Sequence, residues 1–350
     1  MQTPEHSIQA AKNNPDAPPR RKKILAIQYS QTGQLAAVMD ALLAPLAQAA
    51  RDGRVDMHRE ILRHAPGHEY PYPWPLWRFM DTFPETVAGD PPPLAPLSTE
   101  LRNAADFDLV IIGYPVWFLS PPPALTAFLR GGEARGLLRN RPVVTVTACR
   151  NMWLMAQEKV KELLRETDAR HCDHVALTDR GNAFATFITT PRWLLTGRKN
   201  GFWGLPPAGV PAENIAACSR FGFALLAALG RDAERHASET APLLSGLRAC
   251  AVDSRLIASE RIGIRSFRVW SKILRASGRP GAPLRRAALF LYTVFLLAMI
   301  VTIVPASMFI KTLLRPLLRA KLARLKHCYE QPSGSGAERL SLFSSSQPNP

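Results

Sequence analysis

A strand-like apolar run, Ile24 to Tyr29, opens directly onto Ser30-Gln31-Thr32-Gly33-Gln34, and this junction narrows the possible folds more than any other feature of the chain. A run of this kind offers water no polar face, so it must be buried on both sides, as the strands of a parallel sheet covered by helices are. The turn that follows is rich in hydroxyls and contains a glycine, and it sits where such a strand hands over to a helix. Backbone N–H groups at a helix start have no intrahelical partner and point outward. A second run, Val110-Ile111-Ile112-Gly113-Tyr114, delivers Pro115-Val116-Trp117-Phe118 at its carboxyl end, the edge at which open α/β sheets bind ligands.

The hydroxyls of Ser30 and Thr32 and the amides of the turn make a cradle for a phosphate, and Gly33 lets the chain come close to it. A phosphate cradle facing an aromatic wall suits FMN. On this reading Ser30, Gln31, Thr32, Gly33 and Gln34 hold the phosphate end, and Pro115, Val116, Trp117 and Phe118 wall the ring. Ala148, Cys149 and Asn151 border the ring from the loop after a further strand.

Apolar runs alternate with helical periodicity along the chain. Gln34 to Ala50 repeats Leu35, Val38, Leu42, Leu43 and Leu46 on one helical face. Val55 to Leu62 reads as a second strand, Asp108 to Tyr114 as a third, Pro142 to Ala148 as a fourth and His171 to Leu177 as a fifth. Pro122 to Leu129, with proline in its first turn, and Met152 to Glu166 read as helices between them, and Pro211 to Leu229 as a helix after them. The predicted class is α/β: a flavodoxin-like, doubly wound, parallel five-stranded sheet in the order 2-1-3-4-5 over residues 23–230, with a helical C-terminal extension. Residues 1–22 and 328–350 are expected to be disordered, and no secretory signal is expected at the start.

The net charge of +16 is unevenly placed. Between Arg255 and Lys326 there are 15 Lys+Arg and one acid, Glu260, so that stretch carries +14 and the rest of the chain about +2. A near-neutral body lacks the charged docking face by which one-electron carriers find their partners. The basic stretch is interrupted by an apolar run, which argues against a nucleic-acid surface. That run, Ala287 to Ile310, holds 24 consecutive uncharged residues, enough for a bilayer helix, and follows a basic helical extension over 231–286. Cations flank it on both sides, so their placement leaves two topologies open: a simple span, or a re-entrant segment bent at Pro305. Residues 311–327 space leucines among cations as an interfacial amphipathic helix does. The expected location is a membrane, with lipids as partners and the catalytic domain in the cytoplasm. The five scattered cysteines, without a CxxC, fit a reducing compartment.

Two aromatic excursions interrupt the α/β pattern. Glu69 to Asp81 holds Tyr70, Tyr72, Trp74, Trp77 and Phe79 among prolines, and Phe184 to Trp193 is the other; both are candidate pocket walls, or a lid over a flat apolar ligand. His171-Cys172-Asp173-His174 has metal-type residues. Strand alternation would send His171 and Asp173 to one face and Cys172 and His174 to the other, so no metal is expected.

Four segments, Tyr29-Ser30-Gln31-Thr32-Gly33-Gln34-Leu35, Gly113 to Pro121, Ala148 to Gln157 and Thr189 to Gly197, resemble the flavodoxin-like proteins labelled dialkylresorcinol condensing enzymes. The resemblance runs from about Lys23 to Phe223, and its most specific part is Arg150-Asn151-Met152-Trp153. Leu35 stands where flavodoxins usually place another hydroxyl. Carbon–carbon condensation needs a cysteine nucleophile in a thiolase-like fold, and this chain has neither. The resemblance therefore implies the adjacent oxidation, in which a 2,5-dialkylcyclohexane-1,3-dione made by a ketosynthase with an acyl carrier protein is aromatised to a dialkylresorcinol. For that lipophilic substrate Arg150 is the expected cation at the enolate and Tyr114 the expected proton relay. The alternatives are an NAD(P)H:quinone-type flavin reductase and a flavodoxin-type electron carrier.

Overall fold

A computed structural model describes residues 20–103, 106–179, 181, 183–302 and 318–343. Expectations for residues 1–19, 303–317 and 344–350, including the last eight residues of the apolar run, lie outside the described residues. Strands β1 (Lys22–Gln28), β2 (Val55–Ile61), β3 (Leu109–Tyr114), β4 (Pro142–Cys149) and β5 (Arg170–Thr178) pair in parallel in the order β2-β1-β3-β4-β5. This is the flavodoxin-like sheet that the sequence predicts.

The continuous apolar runs are buried on both faces. Ile24 and Ala26 of β1 and Ile111 of β3 join a cluster with helices α1 (Gln34–Arg51) and, late in the chain, Ser219–Leu229. Leu25, Ile27, Val110 and Ile112 alternate to the opposite face. There they meet the helices Pro123–Arg130 and Leu154–Glu166. In chain order the helices are α2 (Leu76–Ala88), α3 (Thr99–Asn103), α4 (Pro123–Arg130), α5 (Gly132–Leu138), α6 (Leu154–Glu166), α7 (Ala183–Thr196), α8 (Ala212–Ala216), α9 (Ser219–Leu229), α10 (Ser254–Ala276), α11 (Pro283–Val301) and α12 (318–330). The helix expected over Pro211 to Leu229 is thus two, α8 and α9.

Both aromatic excursions contain helices. In α2, Phe79, Met80, Phe83 and Val87 fall at helical spacing and pack with Phe118, Phe267 and Tyr292, although prolines before and inside it mask that period in the sequence. The second excursion is α7.

The strand β5 departs from alternation. Val143 pairs with His171 and Val144 with Asp173, so Cys172 is the extra residue of a bulge. His171 and His174 consequently share one partner, the Thr145 hydroxyl, at 3.0 and 2.8 Å. Cys172 joins the α1–α9 cluster, and Asp173 accepts the amides of Leu243 and Leu244. The expected split of these four residues is corrected: the two histidines go together.

The described part of the expected C-terminal tail is also corrected. Residues 331–343 are held on the domain rather than loose. His174 N of β5 donates to Ser333 Oγ, while Cys250 N and Arg248 N donate to Gly334 O and Gly336 O from a segment that itself meets β5 through Ala176 N and Ala249 O (2.9 Å).

Candidate functional site

Tyr29 N donates to Gly113 O at 3.1 Å, so the turn after β1 leaves the sheet beside the point where β3 runs out into Pro115. Gly33 precedes α1 at φ +80°, the left-handed region, and a Cβ there would meet nothing within 4 Å. The position therefore demands a conformation that glycine adopts freely, and the space before the turn is open. Ala36 N donates to Ser30 Oγ at 3.3 Å and Ala37 N to Gly33 O at 3.0 Å. The amides of Gln34 and Leu35, as the first of α1, have no carbonyl within the helix to reach. Half-buried Thr32 adds a hydroxyl, and the first turn of α1 carries no acid to repel an anion. These residues fit the phosphate end of FMN: amide donors, a hydroxyl, an open glycine and the positive end of a helix dipole.

The two glutamine side chains face elsewhere. Gln31 Oε1 accepts the Tyr29 hydroxyl (2.6 Å), and its Nε2 donates to the carbonyls of Tyr70 and Pro71 (3.1 and 2.9 Å), which pins the first aromatic excursion to the cradle. Buried Gln34 accepts Val210 N at 2.7 Å. A Cβ on Gly209, at φ +93°, would run into the Gln34 amide oxygen and the Trp193 ring, so the segment before α8 passes tightly over the helix start. Both side chains are thus taken up by the walls of the site, and what these two positions offer a phosphate is backbone amide.

The loop after β3 sorts its two rings to opposite sides. Phe118 and Leu119 both have positive φ (50° and 59°), and Trp117 and Ser120 exchange backbone hydrogen bonds of 2.9 and 2.8 Å around them. This is the two-residue turn whose handedness matches strand twist. Trp117, 8% exposed, packs edge-on against Tyr29, Tyr70 and Trp74 at 5.3–5.8 Å. Phe118 turns away, to Phe79 and Phe83 at 4.8 and 5.2 Å. Neither ring lies open for stacking, which corrects the expectation that both wall a flavin. Pro115 and Val116 are the half-buried residues this loop leaves beside the cradle.

After β4, half-buried Arg150 donates through Nε to Thr186 Oγ1 (2.8 Å) and lies 3.8 Å over the Phe187 ring, both on α7. Burial lowers its pKa to about 10, opposed by the charge of Asp179, so the guanidinium stays protonated at neutral pH. Asn151 is half-buried on the same loop, whereas Ala148 and Cys149 are buried beneath it. Burial pushes the Cys149 thiol well above its ordinary value. Tyr114 is corrected more sharply. It is fully buried, its hydroxyl donates to Gln157 Oε1, and Gln157 in turn donates to Thr145 (3.1 Å). Burial raises its pKa well above the ordinary value, and a glutamine neighbour neither gives nor takes a proton at neutral pH, so Tyr114 belongs to the packing between sheet and α6.

The two aromatic excursions meet over this edge of the sheet. Trp74 N donates to Leu194 O (3.0 Å), and the Tyr72 hydroxyl to Trp193 O (3.4 Å). Three residues that sequence reasoning missed organise this roof. Asp179, at the end of β5, accepts Gly181 N and Gly209 N, each at 2.8 Å. Gly209 permits the close passage described above. His64, 5% exposed, packs edge-on against Tyr29 and Tyr70, and burial lowers its pKa to about 4. Only Gly209, between prolines, carried a sequence signal.

No family model and no curated protein matches this chain. Among solved structures it is similar to a flavoprotein in complex with FMN from Lactobacillus acidophilus NCFM (16% identity over 44% of this chain and 93% of that one, TM-score 0.34). It is similar to oxidised flavodoxin 1 from Bacillus cereus (15%, 58% and 95%, TM-score 0.30). General stress protein 14 in complex with FMN from Treponema denticola is a third (11%, 59% and 99%, TM-score 0.31).

Proposed function

We propose that this protein is a membrane-attached, FMN-dependent oxidoreductase that aromatises 2,5-dialkylcyclohexane-1,3-diones to dialkylresorcinols. The observation that carries the reading is the Ser30–Leu35 cradle, placed at the carboxyl edge of a 2-1-3-4-5 sheet and flanked by the loops after β3 and β4. The substrate class comes from the resemblance of four segments of this edge to the dialkylresorcinol condensing enzymes, and a ketosynthase working with an acyl carrier protein would supply the dione. FMN, when bound, supplies the two-electron acceptor that aromatisation needs.

The protein's own residues bind and orient. Thr32 and the amides of Gln34 and Leu35 hold the phosphate. A 1,3-dione is acidic, so the site need only stabilise its enolate. Arg150, held in place by Thr186 and Phe187, supplies a fixed positive charge for the enolate oxygen. The roof formed by the Tyr70–Trp74 segment and α7 excludes water and gives alkyl arms an apolar surface. The exposed apolar face of α11 attaches the protein to the membrane in which such lipids dissolve.

Anaerobic mixing of the FMN-loaded protein with a dione is expected to bleach the flavin as resorcinol appears. Arg150→Ala is expected to slow that bleaching on the order of 10²-fold while FMN binding changes little. A flavin that stays oxidised with the dione, but is reduced rapidly by NAD(P)H and reoxidised by a quinone, would replace this reading with a quinone reductase.

A further inference from the structure

We infer that the protein meets the bilayer from one side only, docking on a single leaflet of anionic phospholipid through α10 and α11 without crossing it. The inference rests on the membrane attachment proposed above and settles its topology. Helix α11 is fixed to the soluble domain at its start. Arg285, 1% exposed, bridges Asp81 (2.7 Å) and Glu85 (2.7 Å) of α2, and Tyr292 stacks on Phe83 at 4.5 Å. The chain returns to the same domain. Leu325 and Tyr329 of α12 pack against the cluster around Cys149 and Trp153, and Glu330 Oε1 accepts Val252 N at 3.1 Å. Ser333 then donates to buried Asp173 at 2.7 Å. Both ends of the stretch between Thr302 and residue 318 are therefore anchored on one body, so the chain crosses a bilayer an even number of times. The 24 uncharged residues from Ala287 to Ile310 measure about 36 Å as a helix, enough for one crossing of a core of about 30 Å and too few for two. The even number is zero.

The described surface has the chemistry of such a dock. On α11, Phe290, Leu291, Val294, Leu297 and Val301 are 47–73% exposed, and Trp77 of α2 lies 6.3 Å from Phe290. On α10, Ile262, Val269 and Ile273 are 45–61% exposed and form one stripe at helical spacing. Around the helix, the stripe next to it is cationic: Arg261, Arg265, Arg268, Lys272 and Arg275. Beyond that lies the face buried on the domain, with Ile257, Glu260, Ile264, Ser271 and Leu274. An apolar stripe bordered by cations places hydrocarbon and phosphate at successive depths. A cavity of about 430 Å³ opens at the cationic stripe, where Arg268, Lys272 and Arg275 meet Arg130 and Lys159 with no carboxylate in its lining. Arg275 is paired to Asp90, Lys159 to Glu162, and Arg130 donates to Gly89 O, which leaves Arg268 and Lys272 as the cations best able to receive a lipid phosphate.

The protein carries its own topological probe, because Cys328 is exposed while the other four cysteines are buried. In sealed membrane vesicles of one orientation, a membrane-impermeant maleimide is expected to label Cys328 and an engineered Glu133→Cys on exposed α5 from the same side. Labelling from opposite sides would establish a span and overturn the inference while leaving membrane attachment standing. A full-length chain that stays soluble without detergent would instead remove the attachment itself. In flotation assays, Arg268→Gln/Lys272→Gln is expected to weaken binding to vesicles containing phosphatidylglycerol about thirtyfold, with binding to phosphatidylcholine alone unchanged. An equal loss on both vesicles would overturn the phosphate contact.

Discussion

The cradle at the carboxyl edge of the sheet and the helical platform of α2, α10 and α11 touch the same four-residue turn and are built in opposite ways. Trp117 points from that turn into the site, and Phe118 points from it into the platform. The cradle is made by residues close in sequence, Ser30 to Ala37, and depends on backbone conformation. The platform is made by residues about 200 positions apart, such as Asp81 and Arg285, and depends on burial and ion pairing. A ligand site formed by a local turn persists if distant packing loosens, whereas a docking surface formed by distant packing does not.

The largest effect that would test this contrast is Arg285→Ala. Removing a buried guanidinium from two carboxylates strands their charges, and because those carboxylates are only about a quarter exposed the expected cost is about 3 kcal/mol. Hydrogen exchange should quicken in α10 and α11, while FMN affinity is expected to stay within about twofold because nothing in the cradle touches the pair. A large loss of FMN affinity would show that the Trp117–Phe118 turn couples the two regions.

The regions should also separate by pH. His64, in the wall of the site, has its pKa lowered to about 4 by burial. Its folded state binds fewer protons than the unfolded chain between that value and about 6.5, so stability is lost as pH falls through this window. Relative to His64→Phe, the protein is expected to lose about 2 kcal/mol between pH 6.5 and pH 5 in denaturant melts. Glu260 of α10, 1% exposed against the start of α6, has its pKa raised to about 8 by burial, partly offset by the amide of Met155 (3.2 Å). Its folded state keeps a proton that the unfolded chain has released, so this contribution is full below about 4.5 and is lost as pH rises towards 8. Relative to Glu260→Gln, the expected loss between pH 6 and pH 8 is about 2 kcal/mol. If the two substitutions altered the same limb of the stability profile, the assignment of one titrating group to each region would fail.

Thr32→Val sharpens the comparison from the other side with the smallest effect. Losing one hydroxyl from the cradle is expected to weaken FMN about tenfold, leave riboflavin binding unchanged and leave the melting temperature unaffected, as titration calorimetry with both flavins would report. Equal weakening of FMN and riboflavin would move the phosphate away from this turn.

Much of the fold was legible because burial on both faces writes itself into local sequence. The runs at Ile24 and Val110 have no polar alternation and the run at Val143 is interrupted only by threonines, so parallel strands alternating with helices were legible, and the order 2-1-3-4-5 followed from the doubly wound class they implied. The strand–turn–helix junction was legible for the same reason: Gly33 and its flanking hydroxyls state a local backbone requirement. The helix α2 was not legible, because its apolar period lies among prolines and makes sense only once Tyr292 and Phe267 arrive to cover it.

What tertiary structure alone decided was where side chains point. The side chains of Gln31 and Gln34 have no assigned direction until Tyr70, Pro71 and Val210 take their hydrogen bonds. Trp117 and Phe118 look like a single aromatic wall until two positive φ angles divide them, and Tyr114 looks like a relay until Gln157 buries its hydroxyl. The bulge at Cys172 reverses an alternation that the residues themselves suggest. The same holds for the apolar run Ala287 to Ile310, whose length alone would permit a span but whose flanking residues Arg285 and Ser333 are held on one domain by contacts far away in sequence. Sequence determined what each segment must bury, because hydrophobic periodicity is a local property. Structure determined which partner each polar or aromatic group finds, because that depends on chain brought from elsewhere.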